Sequence, residues 1–165
     1  MIPSTRLRYE PLTLDRLDQF HSLVQDEHVR RYLMDGDVFP REWSEDRVRD
    51  SEALLARRGV GLWLAFENDT GALAGFCGFL VMPSVDPEPQ LVYALFERFT
   101  GRGLATEMAR ASIAGARAHA GFTEIVAAVD HVNAASIRVL EKLGFVKVGS
   151  VPGAFGDTFV YKLPA

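Results

Sequence analysis

The stretch ERFTGRGLATEMARASIAGARAHAGF, residues 97–122, places the tightest constraint on how this chain can fold. It sets Gly101 and Gly103 directly before a long run of strong helix formers, and it continues the apolar run QLVYALFE. The segment is predicted to be a strand, a glycine turn and a helix in immediate succession. Glycine tolerates unusual dihedrals and puts no side chain between the backbone and a ligand. The helix start beyond it offers unpaired N–H groups and a partial positive charge, which together favour an anion. Arg98 and Arg102 can add charge-assisted hydrogen bonds, so a pyrophosphate is the natural guest. The plainer alternative is a tight turn with solvated arginines. Two familiar phosphate motifs are excluded. No Lys-Ser or Lys-Thr pair follows the second glycine, and Thr106 stands where a dinucleotide fingerprint needs a third.

The remaining chain supplies a setting for that turn. RLRYEPL alternates like a strand that ends at Pro11. Helical spacing follows, with Leu14, Leu17, Phe20 or His21, and Val24 on one face, then a short helix over EHVRRYLM that is expected to bury Val29, Tyr32 and Leu33. Ser44, before Glu45 and Asp46, reads as the cap of a third helix that stops at Gly59. GLWLAFE and ALAGFCGFLVM flank NDTG as a hairpin, and the three prolines of PSVDPEP exclude a central strand there. The long helix after the glycine turn is expected to place Leu104, Met108, Ala111 and Ala118 near one face. Beyond it come the strand EIVAAVD, the helix NAASIRVLEKLG and a closing hairpin, FVKVGSV with TFVYKLP. The order is that of one α/β domain over residues 1–165 with a mixed sheet.

Bulk properties narrow the function. The net charge of −4 gives no general attraction to a phosphate backbone, which argues against nucleic acid as a partner. No apolar run approaches the roughly 20 residues of a membrane helix, and the N-terminus has no signal-like apolar core, so a cytoplasmic location is expected. The single cysteine, Cys77, lies in an apolar run and reads as a buried, inert thiol. His21, His28 and His119 have no metal-spaced partner, so no metal is expected.

A second segment gives the turn its context. In NAASIRVLEKLGFVKVG, residues Asn133, Ser136, Glu141, Lys142, Gly144 and Phe145 have the spacing of the N-x-x-S…E-K-x-G-F segment of GNAT N-acetyltransferases. RFTGRGLATE resembles their acetyl-CoA turn, and TRLRYEPLTLDRLDQF resembles the opening of the ribosomal-protein N-terminal (Rim-type) branch. The resemblance covers essentially the whole chain. It implies a central sheet of about seven strands flanked by helices, in which the strand around Leu91–Phe96 splays from a parallel strand around Ile125–Val129. It also implies acetyl-CoA as cosubstrate. Backbone N–H groups from Arg98 through Gly101, Arg102, Gly103, Leu104 and Ala105 would hold its pyrophosphate. Leu95 and Phe96 would border its pantetheine arm, and Asn133 would hydrogen-bond that arm. Tyr32, Phe39 and Trp43 fall where this fold forms an acceptor lid, and with Tyr93 they are the expected substrate contacts. The implied reaction is direct attack by an amine on the thioester.

Two departures from the family pattern bear on proton transfer. Many members carry a tyrosine seven residues after the motif asparagine, where this chain has Leu140; the Rim-type branch often has a glutamate where it has Gln90. Ser136 or water can assist the leaving thiolate, and Glu88, Glu97, Asp130 and His131 are the candidate proton relays, each with a solvated loop charge as its plainer reading. The acceptor is expected to be an amine-bearing small molecule or a protein N-terminus, and a homodimer is an assembly the sequence leaves open. The same departures keep a non-catalytic acyl-CoA-binding or sensor module in view. A tRNA-directed transferase is disfavoured by the acidic balance.

Overall fold

Alternating apolar residues along the strands let a single sheet bury both of its faces. In the computed structural model, which describes residues 4–154 and 156–164, the strands are β1 (Leu7–Pro11), β2 (Leu62–Glu67), β3 (Leu73–Leu80), β4 (Gln90–Leu95), β5 (Ile125–Asp130), β6 (Val146–Gly153) and β7 (Gly156–Leu163). They form one mixed sheet in the order β1-β2-β3-β4-β5-β7-β6. The helices are α1 (Leu17–Gln25), α2 (Glu27–Leu33), α3 (Arg41–Arg58), α4 (Leu104–Ala120) and α5 (Ala134–Lys142). On one face Leu62, Leu64, Phe66, Phe76 and Val92 pack with Phe20, Leu23, Val29 and Val48 of α1–α3. On the other, Ala65, Cys77 and Leu95 meet Leu104 and Met108 of α4, while Leu91, Ile125 and Val129 meet Ala109 and Ile113 of α4 and Leu140 of α5.

Every pairing is antiparallel except that of β4 with β5. Those two strands pair only at Gln90–Val126 and Leu91–Ala127, and then separate. β4 keeps its register with β3 as far as Gly75–Leu95, and β5 keeps its own with β7 from Ile125 to Asp130. Each strand thus follows its outer neighbour, and a wedge opens between them. A Cβ at Gly75 would stand 2.0 Å from the Ala94 carbonyl oxygen, so β4 leans into β3 at a point where only glycine leaves room.

Several local expectations change in the folded chain. Helix α3 begins at Arg41 with extended Pro40 as its cap residue, three residues before Ser44. Ser44 is buried inside the helix, its hydroxyl 2.8 Å from His21 Nδ1 of α1, so a tertiary partner takes the oxygen assigned to capping. Leu14 is exposed because residues 14–16 form a 3₁₀ turn ahead of α1 rather than its first turn. Tyr32 is exposed too, edge-on to His28, and Ala118 faces solvent near the end of α4.

Gly75→Ala is expected to lower stability by about 1–3 kcal/mol or more through overpacking, as β4 is pushed off β3. Urea unfolding of the variant beside the wild type checks this.

Candidate active site

The wedge between β4 and β5 opens into a cavity of about 1020 Å³, at the upper end of the ~300–1,000 Å³ typical of small-molecule sites. Its walls are β4 from Leu91 to Leu95, β5 from Ala127 to Asp130, the turn from Thr100 to Thr106, and the inner face of α5. The turn is built as its glycines require. Gly101 and Gly103 have φ of +72° and +77°, which side-chain-bearing residues rarely adopt, and the space in front of Gly101 is open. Gly103 is the N-cap residue of α4 and supplies no capping side chain, so the first N–H groups of a 17-residue helix are left facing the cavity rim.

The charges at this turn are arranged differently from the sequence expectation. Arg102 reaches back to Glu67 at 2.5 Å, and Arg98 lies over the rings of Phe96 and Phe99 at 4.7 and 4.9 Å. Neither arginine, nor Phe96, lines the cavity. Arg6 of the N-terminal segment clamps the turn instead. Its Nη1 donates to the Arg102 carbonyl at 2.7 Å, while its backbone N–H and Nε both donate to the Glu107 carboxylate at 2.8 Å. The cations that do line the cavity are Arg138 and Lys142, one turn apart on α5. Neither is among the site residues expected from sequence; their i,i+4 spacing after Asn133 is the signal that could have found them.

Asn133 starts α5, accepting a hydrogen bond from the Ser136 N–H at 3.1 Å. Ser136 therefore holds a fixed place on the cavity wall, where its Oγ is 2.8 Å from the Tyr93 hydroxyl of β4. Burial pushes the Tyr93 phenol up to about 12, and the Ser136 hydrogen bond opposes that rise. Leu140, at the position of the family's frequent tyrosine, is 1% exposed and contributes only aliphatic surface.

Of the relays considered from sequence, Asp130 lines the cavity and accepts a hydrogen bond from Thr158 at 2.8 Å. Glu88 is ion-paired with Arg58 at 2.7 Å, and His131 lies beside the Asp157 carbonyl and the Phe159 ring; neither lines the cavity, nor does Glu97. Tyr32 lines it, whereas Phe39 and Trp43 stack on each other at 4.5 Å outside its walls. Asp35 is an ionisable wall residue that sequence reasoning missed. Burial, followed by the charges of Asp130 and Asp37, raises its carboxyl above the ordinary range. The turn-like DGD triplet at 35–37 is the signal that could have found it, and Asp35 adopts φ of +55°. Gln90 is wholly buried and faces the 82–88 loop: its Oε1 accepts from the Met82 N–H at 2.7 Å and its Nε2 donates to the carbonyls of Asp86 and Glu88. Among the described residues there is no cluster of three metal-ligating side chains, and no helix is long and apolar enough to cross a membrane.

Comparison with known proteins gives this arrangement its family. The acetyltransferase (GNAT) domain profile matches residues 6–146. The chain is 34% identical over 134 residues to the uncharacterized protein YkkB of Bacillus subtilis strain 168, spanning 79% of this chain and 75% of that one. Among solved structures, a GnaT-family acetyltransferase from Bordetella pertussis superposes with a TM-score of 0.84 at 23% identity, covering 98% of this chain and 97% of the other. RimL, a ribosomal L7/L12 alpha-N-protein acetyltransferase solved with coenzyme A, gives 0.80 at 20% identity, with 98% and 95% covered. The chain belongs to the GNAT family of N-acetyltransferases.

Two outcomes test this description of the site. Gly103→Val and Gly121→Val both force a branched residue into a positive-φ position, at opposite ends of α4, but only Gly103 borders the cavity. Both are expected to lose stability, and only Gly103→Val to lose about tenfold or more in acetyl-CoA affinity by calorimetry. Gln90→Glu removes both donors to the loop carbonyls. It is expected to cost about 1–3 kcal/mol in urea unfolding and to leave CoA release no faster than in the wild type.

Proposed function

We propose that this acetyltransferase moves the acetyl group of acetyl-CoA to a primary amine, an N-terminal α-amine or a small-molecule amine, by direct attack on the thioester. The observation that carries the reading is the convergence of the split β4–β5 pair and the glycine turn on one cavity. The turn N–H groups of Gly101, Gly103, Leu104 and Ala105 would take the pyrophosphate, with Arg6, Arg98 and Arg102 bracing the turn from behind. Arg138 and Lys142 would face the remaining phosphate charge. β4 past Leu91, through Leu95, has backbone groups without β5 partners, and the amides of a pantetheine arm can satisfy them as a missing strand would. Asn133, its oxygen committed to capping α5, has its amide NH₂ to offer the same arm.

The placement of Cys77 supports direct attack. Cys77 is fully buried on the α4 side of β3, does not line the cavity, and burial pushes its thiol up to about 12. A neutral thiol of that kind is a poor nucleophile. The acceptor would enter between α2, the 81–89 loop and the β6–β7 turn, past Tyr32, Asp35 and Asp130. Asp35 and Asp130 favour a cationic acceptor and can receive its proton through water.

Glu88 and His131 lie off the wall, so the attacking amine must supply much of its own neutrality. At pH 7 an α-amine of pKa about 8 is about one-tenth neutral, whereas a lysine near 10.4 is neutral in fewer than about one molecule in a thousand. α-Amines are therefore expected to be acetylated faster than lysine side chains in matched peptides. The preference should shrink toward pH 9, where the neutral α-amine fraction saturates and that of lysine still grows. Competition between an N-terminally free peptide and its blocked, lysine-containing counterpart checks this. A lysine preference at pH 7 would mean a stronger base acts in the site, with Asp35 and Asp130 the first to substitute.

A further inference from the structure

Tyr93 lies two residues beyond the last β4–β5 pair, on the stretch of β4 that has lost its parallel neighbour. An arm anchored at the glycine turn and lying along that free edge would end near the rejoining of the strands at Leu91–Ala127, which would bring its sulfur to the level of Tyr93. The Tyr93 hydroxyl lies 2.8 Å from Ser136 Oγ and donates a long, 3.4 Å hydrogen bond to the Ser136 carbonyl oxygen. Among the described residues, these two side chains are the only hydroxyls that β4, β5 and α5 contribute to the cavity wall. One turn further along α5, Leu140 offers no proton to anything.

We propose that Tyr93, oriented by Ser136, donates the hydrogen bond that stabilises the CoA sulfur as it leaves, supplying from β4 what α5 lacks at Leu140. The proposal rests on the acetyl-transfer reading above. In the step itself the amine nitrogen bonds to the acetyl carbon, and the C–S bond breaks with its electron pair on sulfur. The Tyr93 O–H turns from the Ser136 carbonyl to donate to that sulfur, while Ser136 Oγ–H donates to the phenol oxygen and increases its polarity. The proton shed by the amine passes to solvent, and the thiolate takes one from solvent, so the products are the amide and CoA thiol and Tyr93 is unchanged. Burial keeps the phenol protonated through the neutral range, so it remains a donor throughout. Ser136 acts through Tyr93 and is a positioning residue. Its own place is fixed by the Asn133 cap.

The plain alternative is that the pair only fastens α5 to β4, and the leaving group separates the two. Single-turnover rates are measured with acetyl-CoA and with its selenoester analogue, whose more acidic selenol leaves with little help. Tyr93→Phe is expected to slow transfer from the thioester by about 10- to 100-fold and from the selenoester by no more than about threefold, with acetyl-CoA affinity nearly unchanged. Ser136→Ala leaves the ring in place and carries the same test should the first variant fold poorly; a loss of about three- to tenfold on the thioester, and none on the selenoester, is expected. Equal losses on the two donors, or no loss, overturn this inference while leaving acetyl transfer intact. A wild-type protein that binds acetyl-CoA yet transfers to no amine overturns the transfer reading and this inference with it.

Discussion

The parting of β4 from β5 is the constraint on which the rest of the site depends. Backbone N–H and C=O groups within a domain must find partners, and an unpaired group shielded from water costs about 1–3 kcal/mol. A sheet that pairs two parallel strands for two residues and then separates them leaves a row of such groups along β4. Water can satisfy them, and so can an extended ligand with amides of its own. The separation is not slack in the chain, because each strand is held firmly on its outer side by six antiparallel pairs. The wedge is therefore present before any ligand arrives, which limits the ordering that binding must impose.

The glycine turn works only because of its position relative to that wedge. A helix N-terminus with two positive-φ glycines is a common device, and in isolation it says little about a ligand. Here β4 leads within a few residues into the turn, so the N-terminus of α4 and the row of free backbone groups line one cavity. Arg6 makes the turn rigid from the far end of the sequence, its guanidinium bonding a turn carbonyl and its neighbour Leu7 seating β1. The fixed geometry comes from hydrogen bonds across 96 and 101 residues of sequence, not from the turn alone.

Local patterns carried most of the element order, and long-range pairing decided what they did not. The hairpins, the glycine turn and the helix before Gly59 were legible from periodicity and turn residues. The insertion of β7 between β5 and β6 was not, because nothing in TFVYKLP tells its partner on the second side. The same distinction applies to side chains. Arg102 sits beside the glycines in sequence, yet Glu67, 35 residues away, takes its guanidinium. Ser44 had the right neighbours for a cap, yet His21 claims its hydroxyl. Gln90 was legible as a departure but not as an anchor, since its three partners lie in a loop whose path no propensity encodes. The Tyr93–Ser136 contact joins two motifs read separately, and only the closeness of α5 to β4 brings them within hydrogen-bonding distance.

This division also bears on which part of the molecule sets the acceptor. The end of the cavity proposed for the cosubstrate is made by strands and by a helix terminus, whose geometry the sheet dictates. The end proposed for the acceptor is made by the loop after α2, the 81–89 loop and the β6–β7 turn, all irregular backbone on that frame. Loops of this kind can change without disturbing the core, so acceptor choice can vary while acetyl-CoA recognition stays fixed. Asp35 illustrates the point. It holds a positive φ that aspartate tolerates better than most residues, and its carboxyl is raised by burial and by Asp130 across the opening. Its folded-state affinity for a proton exceeds that of the unfolded chain, so its contribution to stability falls as the pH rises from the unfolded carboxylate range toward neutrality. A cationic amine between Asp35 and Asp130 would offset the repulsion between the two carboxylates, so on the proposed reading this irregular rim would favour a positively charged acceptor.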